Sequence, residues 1–195
     1  MISPKVSTGN RFDNRVSRIA ITLLIVVAAI TAGVWRLTGT SAEGPTLEIS
    51  YPAQAEVGGT IEISLLVRNA SGIGGYQTRL LYDTSAAHLA GVDHAGNGIA
   101  GLGRFVQTLG PNEFDGGASF GLYSCPLDEC NSGGKPVDRG ADGDVSLATI
   151  YVTPDQAGTL TLEFSSLRFT DASGSEVDVQ TGSLTLSVNV VEGQE

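Results

Sequence analysis

Few side chains in this 195-residue chain have types and spacings that could carry chemistry: two cysteines, two histidines and a short run of aspartates. Cys125 and Cys130, the only cysteines, stand in the stretch Cys-Pro-Leu-Asp-Glu-Cys. In an oxidising compartment they could close a small disulfide-bonded loop. The other reading is a metal site made of both thiolates with Asp128 or Glu129, but no second Cys-x-x-Cys or histidine cluster is present to complete it. Asp138, Asp142 and Asp144 alternate with glycines and offer the oxygen ligands that calcium prefers. They follow no EF-hand spacing and lack its closing glutamate, and acidic glycine-rich turns are usually only turns. The expectation is therefore no cofactor, with calcium the one ion these residues would suit. His88 and His94 lie at separate positions around one strand and read as surface or packing residues.

Two motifs match catalytic patterns and fail on context. Gly117-Ala118-Ser119-Phe120-Gly121 has the letters of a nucleophile elbow. That elbow needs a strand-to-helix turn and a histidine later in the chain, whereas both histidines precede it. Gly96-Asn97-Gly98-Ile99-Ala100-Gly101 spells the dinucleotide fingerprint without the strand–helix unit that would hold a pyrophosphate. Asn69-Ala70-Ser71 is a glycosylation sequon by pattern only. No nucleophile–base pair or paired carboxylates stand out, so an enzyme is not expected.

The elements that carry these residues divide at about residue 42. Residues 1–42 hold five basic side chains and one acid, a net of +4, while residues 43–195 hold six basic and twenty acidic, a net of −14. So acidic a domain excludes phosphate-backbone binding to nucleic acid. Residues 1–18 read as a basic cytoplasmic N-terminus. Ile19 to Trp35 is an uncharged apolar run of seventeen residues, at the lower limit for a membrane-spanning helix. With Trp35 and Arg36 as interfacial anchors, the predicted transmembrane signal anchor covers 19–37. Four basic residues precede the run and one follows, which keeps the N-terminus inside and places the following domain outside the cell, a single-pass membrane topology. Cleavage after the small residues Thr40-Ser41-Ala42 is the alternative, although Arg36 separates them from the apolar run. A linker over 38–46, a β-domain over 47–191 and a short tail over 192–195 complete the chain.

Within the β-domain the period is two. Ile61, Ile63 and Leu65 alternate with Thr60, Glu62 and Ser64; Asn69-Ala70-Ser71-Gly72 reads as a turn; a second strand resumes at Tyr76. Further strands are predicted at Leu89–Asp93, 104–109, Ala118–Ser124, Val145–Thr153, Gly158–Phe164 and Ser183–Val191. No extended helical period follows the apolar run. Some nine strands in about 150 residues predict an all-β fold, a jelly-roll β-sandwich, with the 125–144 segment as its one long loop.

The order VGGTIEISLLVRN, GIGGYQTRLLYD, DGDVSLATIYVTPDQAGTLTLEF and LRFTDASGSEVDVQTGSLTLSVNV resembles a cohesin domain over roughly Leu47 to Val191. Thr84 stands where the family has proline after its Tyr-Asp, Gly59 where it has an acid, and the 125–144 loop is enlarged. The resemblance implies a nine-stranded sandwich without a catalytic centre that docks calcium-loaded dockerin modules of other proteins on one sheet face. Applied here, that face uses the third, fifth, sixth and eighth strands. Alternation makes Gln77 and Arg79, Ser119 with Gly121 and Tyr123, and Thr161 and Glu163 its outward positions. Tyr76, Thr78, Leu80, Tyr82, Phe120, Leu122, Leu160, Leu162 and Phe164 then point inward. The expected function is a cell-surface binding and scaffolding module for a dockerin-like protein partner. A carbohydrate-binding module of the same fold would need a strip of exposed aromatics, for which Tyr51, Tyr123, Tyr151 and Phe114 are the candidates. A third possibility is a structural subunit of a surface assembly, joined through edge strands. No duplicated calcium loop of the dockerin type occurs in the chain, so such a partner is another protein.

Overall fold

A computed structural model describes residues 44–94, 98–99, 105–125 and 140–193, and among these residues the fold is all-β, with no helix long and apolar enough to cross a membrane. The predicted signal anchor over 19–37 and the Cys125–Cys130 pairing lie outside the described residues. Among the described residues eleven strands run in chain order: β1 (Thr46–Ser50), β2 (Gln54–Glu56), β3 (Ile61–Leu81), β4 (Ala87–Asp93), β5 (Phe105–Phe114), β6 (Gly117–Cys125), β7 (Ala141–Pro154), β8 (Gly158–Asp171), β9 (Glu176–Val177), β10 (Gln180–Thr181) and β11 (Thr185–Val191).

The turn predicted at Asn69–Gly72 does not separate two strands. β3 continues through it for 21 residues, and the turn-prone residues serve instead as irregularities within the strand. Asn69 and Gly72 take left-handed backbone at φ 52° and 71°, and register against β7 shifts between Val67 and Ala70 and again between Ala70 and Ile73. Such bulges bend and twist a strand, which lets β3 serve two layers. Its first half lies between β1 and β7 in the order β10-β1-β3-β7-β4. Its second half lies between β6 and β8 in the order β5-β6-β3-β8-β11-β2, with β9 also on β8. The pairings are antiparallel except for the short β1–β10 and β2–β11 ladders, which are parallel.

The inward positions predicted from alternation fill one apolar core. Ile61, Ile63, Leu65 and Val67 enter it from the first half of β3, and Tyr76 and Leu80 from the second. Phe120, Leu122, Leu160, Leu162, Phe164, Leu186, Val188 and Val190 complete the layer opposite Leu147, Ile150 and Val152. Each such aliphatic or aromatic side chain contributes about 1.5–3 kcal/mol on full burial. Buried polar groups are matched. Thr78, fully buried, donates to the carbonyl of Ser165 at 3.3 Å, and Ser124 donates to that of Gly74 at 2.6 Å. Among the described residues no buried side-chain nitrogen or oxygen lacks a partner.

The short strands β2, β9 and β10 lie outside the predicted set, and three boundaries differ widely from the prediction. β5 runs on to Phe114 through a bulge at Gly110-Pro111, and β8 runs on to Asp171 past a left-handed Ser166 at φ 53°. β7 begins at Ala141, so the last residues of the predicted 125–144 loop are strand.

Candidate functional site

The register brings the predicted outward positions onto one face of the β5-β6-β3-β8 sheet. Arg79 of β3 pairs with Ser119 of β6 on one side and Ser165 of β8 on the other. Gln77 pairs with Gly121 and Arg168, and Leu81 pairs with Glu163. Cross-strand partners share a face, so Gln77, Arg79, Ser119, Glu163 and Arg168 form one contiguous surface. Tyr123 lies opposite Gly75 and Gln107 on the same face. Thr161 lies two residues past Glu163, the last β8 partner of β3, and opposite Ser187 of β11, so it belongs to the margin of this surface.

Two side chains on this face are held in place. The Arg79 guanidinium lies 5.9 Å from the centroid of the Phe114 ring, a cation–π contact across β6. Tyr123, at 37% exposure, donates its hydroxyl to Oε1 of Gln107. Gly121 sits between them with no room for a side chain, because a Cβ there would lie 2.4 Å from the carbonyl oxygen of Tyr76. Between Tyr123 and Arg79 the face therefore carries the exposed Gln77 of β3 beside the buried Gly121.

Among the described residues there are three basic side chains, all arginines. Arg68, on the other layer, is ion-paired to Glu48 at 2.7 Å and to Asp144, and both bonds hold its guanidinium pKa above its ordinary value. Arg79 and Arg168 have no acid within ion-pair distance among the described residues, although Glu163 of β8 and Glu176 of β9 lie on the same sheet face by register.

The weak calcium candidates have other work. Asp144 pairs with Arg68, and Asp142 accepts the backbone N–H of Gly72 at 2.8 Å, steadying the bulge of β3. Asp138 lies outside the described residues, among which no group of three or more acids, histidines or cysteines is placed to hold a metal. His88 lies 3.0 Å from Asp155 on the surface. His94 is half-buried, its Nε2 3.0 Å from the Tyr76 hydroxyl, and burial lowers its pKa below the ordinary imidazole value. Burial likewise pushes the Tyr76 phenol up, so this tyrosine keeps its proton. The Gly117–Gly121 motif is part of strand β6, which leads into no helix among the described residues.

The aromatic candidates do not form a platform. Phe114 and Tyr123 are both exposed on the face, but their β6 positions, Gly117 and Tyr123, are six residues apart, or about 20 Å at strand rise. Tyr51 is exposed after the end of β1, outside this face, and Tyr151 is half-buried on β7. Beside the face, β8 leaves a cavity of about 470 Å³ between Leu167, Phe169, Val177 and Leu184, with Arg168, Glu176 and Asp178 at its rim.

The sequence reading missed Arg168 and Gln107. Arg168 falls past the predicted end of the eighth strand, yet Leu167 and Phe169 alternate around it as they would in a continued strand. Gln107 carried no signal of its own; only its partnership with Tyr123 across the ladder reveals it.

No family model and no curated protein matches the chain. Solved structures do. A non-cellulosomal cohesin from the hyperthermophilic archaeon Archaeoglobus fulgidus aligns with TM-score 0.53 and 16% identity, over 76% of this chain and 92% of that one. A type II cohesin domain from the cellulosome of Acetivibrio cellulolyticus aligns with TM-score 0.55 and 15% identity, over 75% and 95%. The chain matched in a type I cohesin–dockerin complex from Clostridium thermocellum aligns with TM-score 0.53 and 16% identity, over 76% and 94%. The described domain thus shares its fold with cohesin modules.

Proposed function

We propose that this chain is a non-catalytic docking module, held at the outer surface of the cell by its N-terminal apolar segment. It binds a protein partner of the dockerin type through the β5-β6-β3-β8 face. The observation that carries the reading is the gathering of Gln77, Arg79, Ser119 and Tyr123 on one face, with Arg79 and Tyr123 already held by Phe114 and Gln107. Arginine and tyrosine are the side chains that most often anchor interfaces, and fixing them before binding reduces the ordering cost of association. The cohesin fold supports the same reading, since in solved complexes it appears together with dockerins.

The full chain, immobilised in mild detergent, tests this against the secreted and membrane proteins of its host. Capture of a protein with duplicated calcium loops, released by a chelator and lost in Tyr123→Ala, is the expected result. Retention of the chain on polysaccharide with no such capture would overturn it in favour of carbohydrate binding. The wide gap between Phe114 and Tyr123 argues against that second reading.

A further inference from the structure

We infer that Arg79 and Arg168 together read carboxylates on the partner, so that the segment docking on this face is an acidic polypeptide. The inference rests on the docking-face reading and adds to it the chemistry of what docks. The domain is strongly acidic, with twenty acidic and six basic residues over 43–195. In such a chain a solvent-exposed arginine ordinarily finds an acid, as Arg68 does twice on the other layer. On the docking face the pattern reverses. Two arginines flank Gln77, Arg168 directly across the ladder from it and Arg79 two residues along β3, and neither has an acid within ion-pair distance among the described residues.

The ladder partners of this pair, Gln77, Ser119 and Ser165, are neutral; Glu163 stands two residues further on, opposite Leu81, and Glu176 and Asp178 share a cavity with Arg168 without forming an ion pair to it. The result is two neighbouring guanidinia on an anionic body, neither ion-paired to an acid among the described residues. A guanidinium presents paired N–H donors that match a carboxylate in two bonds at once, which a neutral surface cannot replace. Phe114 fixes the Arg79 head by its ring face, leaving the N–H edge of the fork for a ligand. The acidic remainder of the domain repels an acidic partner elsewhere, and the two unpaired arginines are the place where it can dock.

The test titrates isotope-labelled full chain in non-ionic detergent with an oligoglutamate peptide, with oligolysine and with polygalacturonate, and follows backbone amide shifts. The expected result is that oligoglutamate moves Gln77, Arg79, Ser119 and Arg168 while leaving the β1 and β7 amides around Arg68 in place. The R79Q/R168Q double variant, which melts as the parent does, then binds at least about tenfold more weakly, and about 1 M salt removes the effect by cutting the Debye length to about 3 Å. Shifts spread equally over both layers, shifts unchanged in the double variant, or tighter binding of polygalacturonate than of oligoglutamate would each overturn the inference. The two claims fail separately. A captured partner whose affinity ignores R79Q/R168Q leaves the docking module standing and removes the acidic partner; failure to capture any partner removes the docking reading itself.

Discussion

At the scale of single residues, the face owes its character to side chains whose positions are set by neighbours. Tyr123 is tethered by Gln107 and Arg79 is stacked on Phe114, so each meets a partner with little rotamer entropy left to lose. Tyr123→Ala is expected to weaken partner binding by about 2 kcal/mol, roughly thirtyfold in Kd, with the melting temperature unchanged because the ring is solvent-facing. Isothermal titration against the captured partner, beside a thermal melt, measures both. His94 gives the fold a pH dependence. Its pKa is lowered on folding from an ordinary 6.5, so the folded state binds fewer protons than the unfolded one and stability is full above pH 6.5. It declines as pH falls below 6.5 toward the folded value, because the half-buried site disfavours the charged imidazolium. Melts between neutral and mildly acidic pH are expected to show this decline in the parent and a shallower one in His94→Gln.

At the scale of elements, the controlling feature is β3. Its alternation was plain in the sequence, and the outward residues Gln77 and Arg79 were legible from it. The inward set Tyr76, Thr78 and Leu80 could be read from the same period, and all three are buried. What could not be read was that Asn69 and Gly72 bend one strand instead of ending it. Turn-prone residues at positive φ serve turns and bulges equally, and only pairing with β7 and β8 on either side of Ile73 decides between them. The same limit hid Arg168, because the left-handed Ser166 interrupts the period of β8 just before it. Close approach of β6 to β3 makes a further prediction. Gly121→Ala would drive a Cβ into the Tyr76 carbonyl, and with backbone on the far side the clash is relieved only by moving a strand. A loss of about 1–3 kcal/mol in denaturant unfolding is expected, with weakened partner binding following from the shifted face. An unchanged midpoint would mean that β6 and β3 lie further apart than described.

At the scale of the whole molecule, charge and layering divide the work. One layer carries Glu48, Asp142 and Asp144 and uses its arginine internally; the other leaves two arginines to solvent and displays a tyrosine and a phenylalanine beside them. The alternation of the strands foretold a sandwich and its inner and outer sides, while the asymmetry between the layers required the register. The account stands on which face docks, and the exposed aromatics report on that directly. Tyr123 and Phe114 lie on the proposed face, and Tyr51, at 39% exposure, lies off it after β1. Hydroxyl-radical footprinting of the full chain, alone and with its captured partner, measures all three in one experiment. The account predicts that oxidation of Tyr123 and Phe114 falls sharply in the complex while Tyr51 reacts as before. Protection of Tyr51 with Tyr123 and Phe114 still reactive would contradict it.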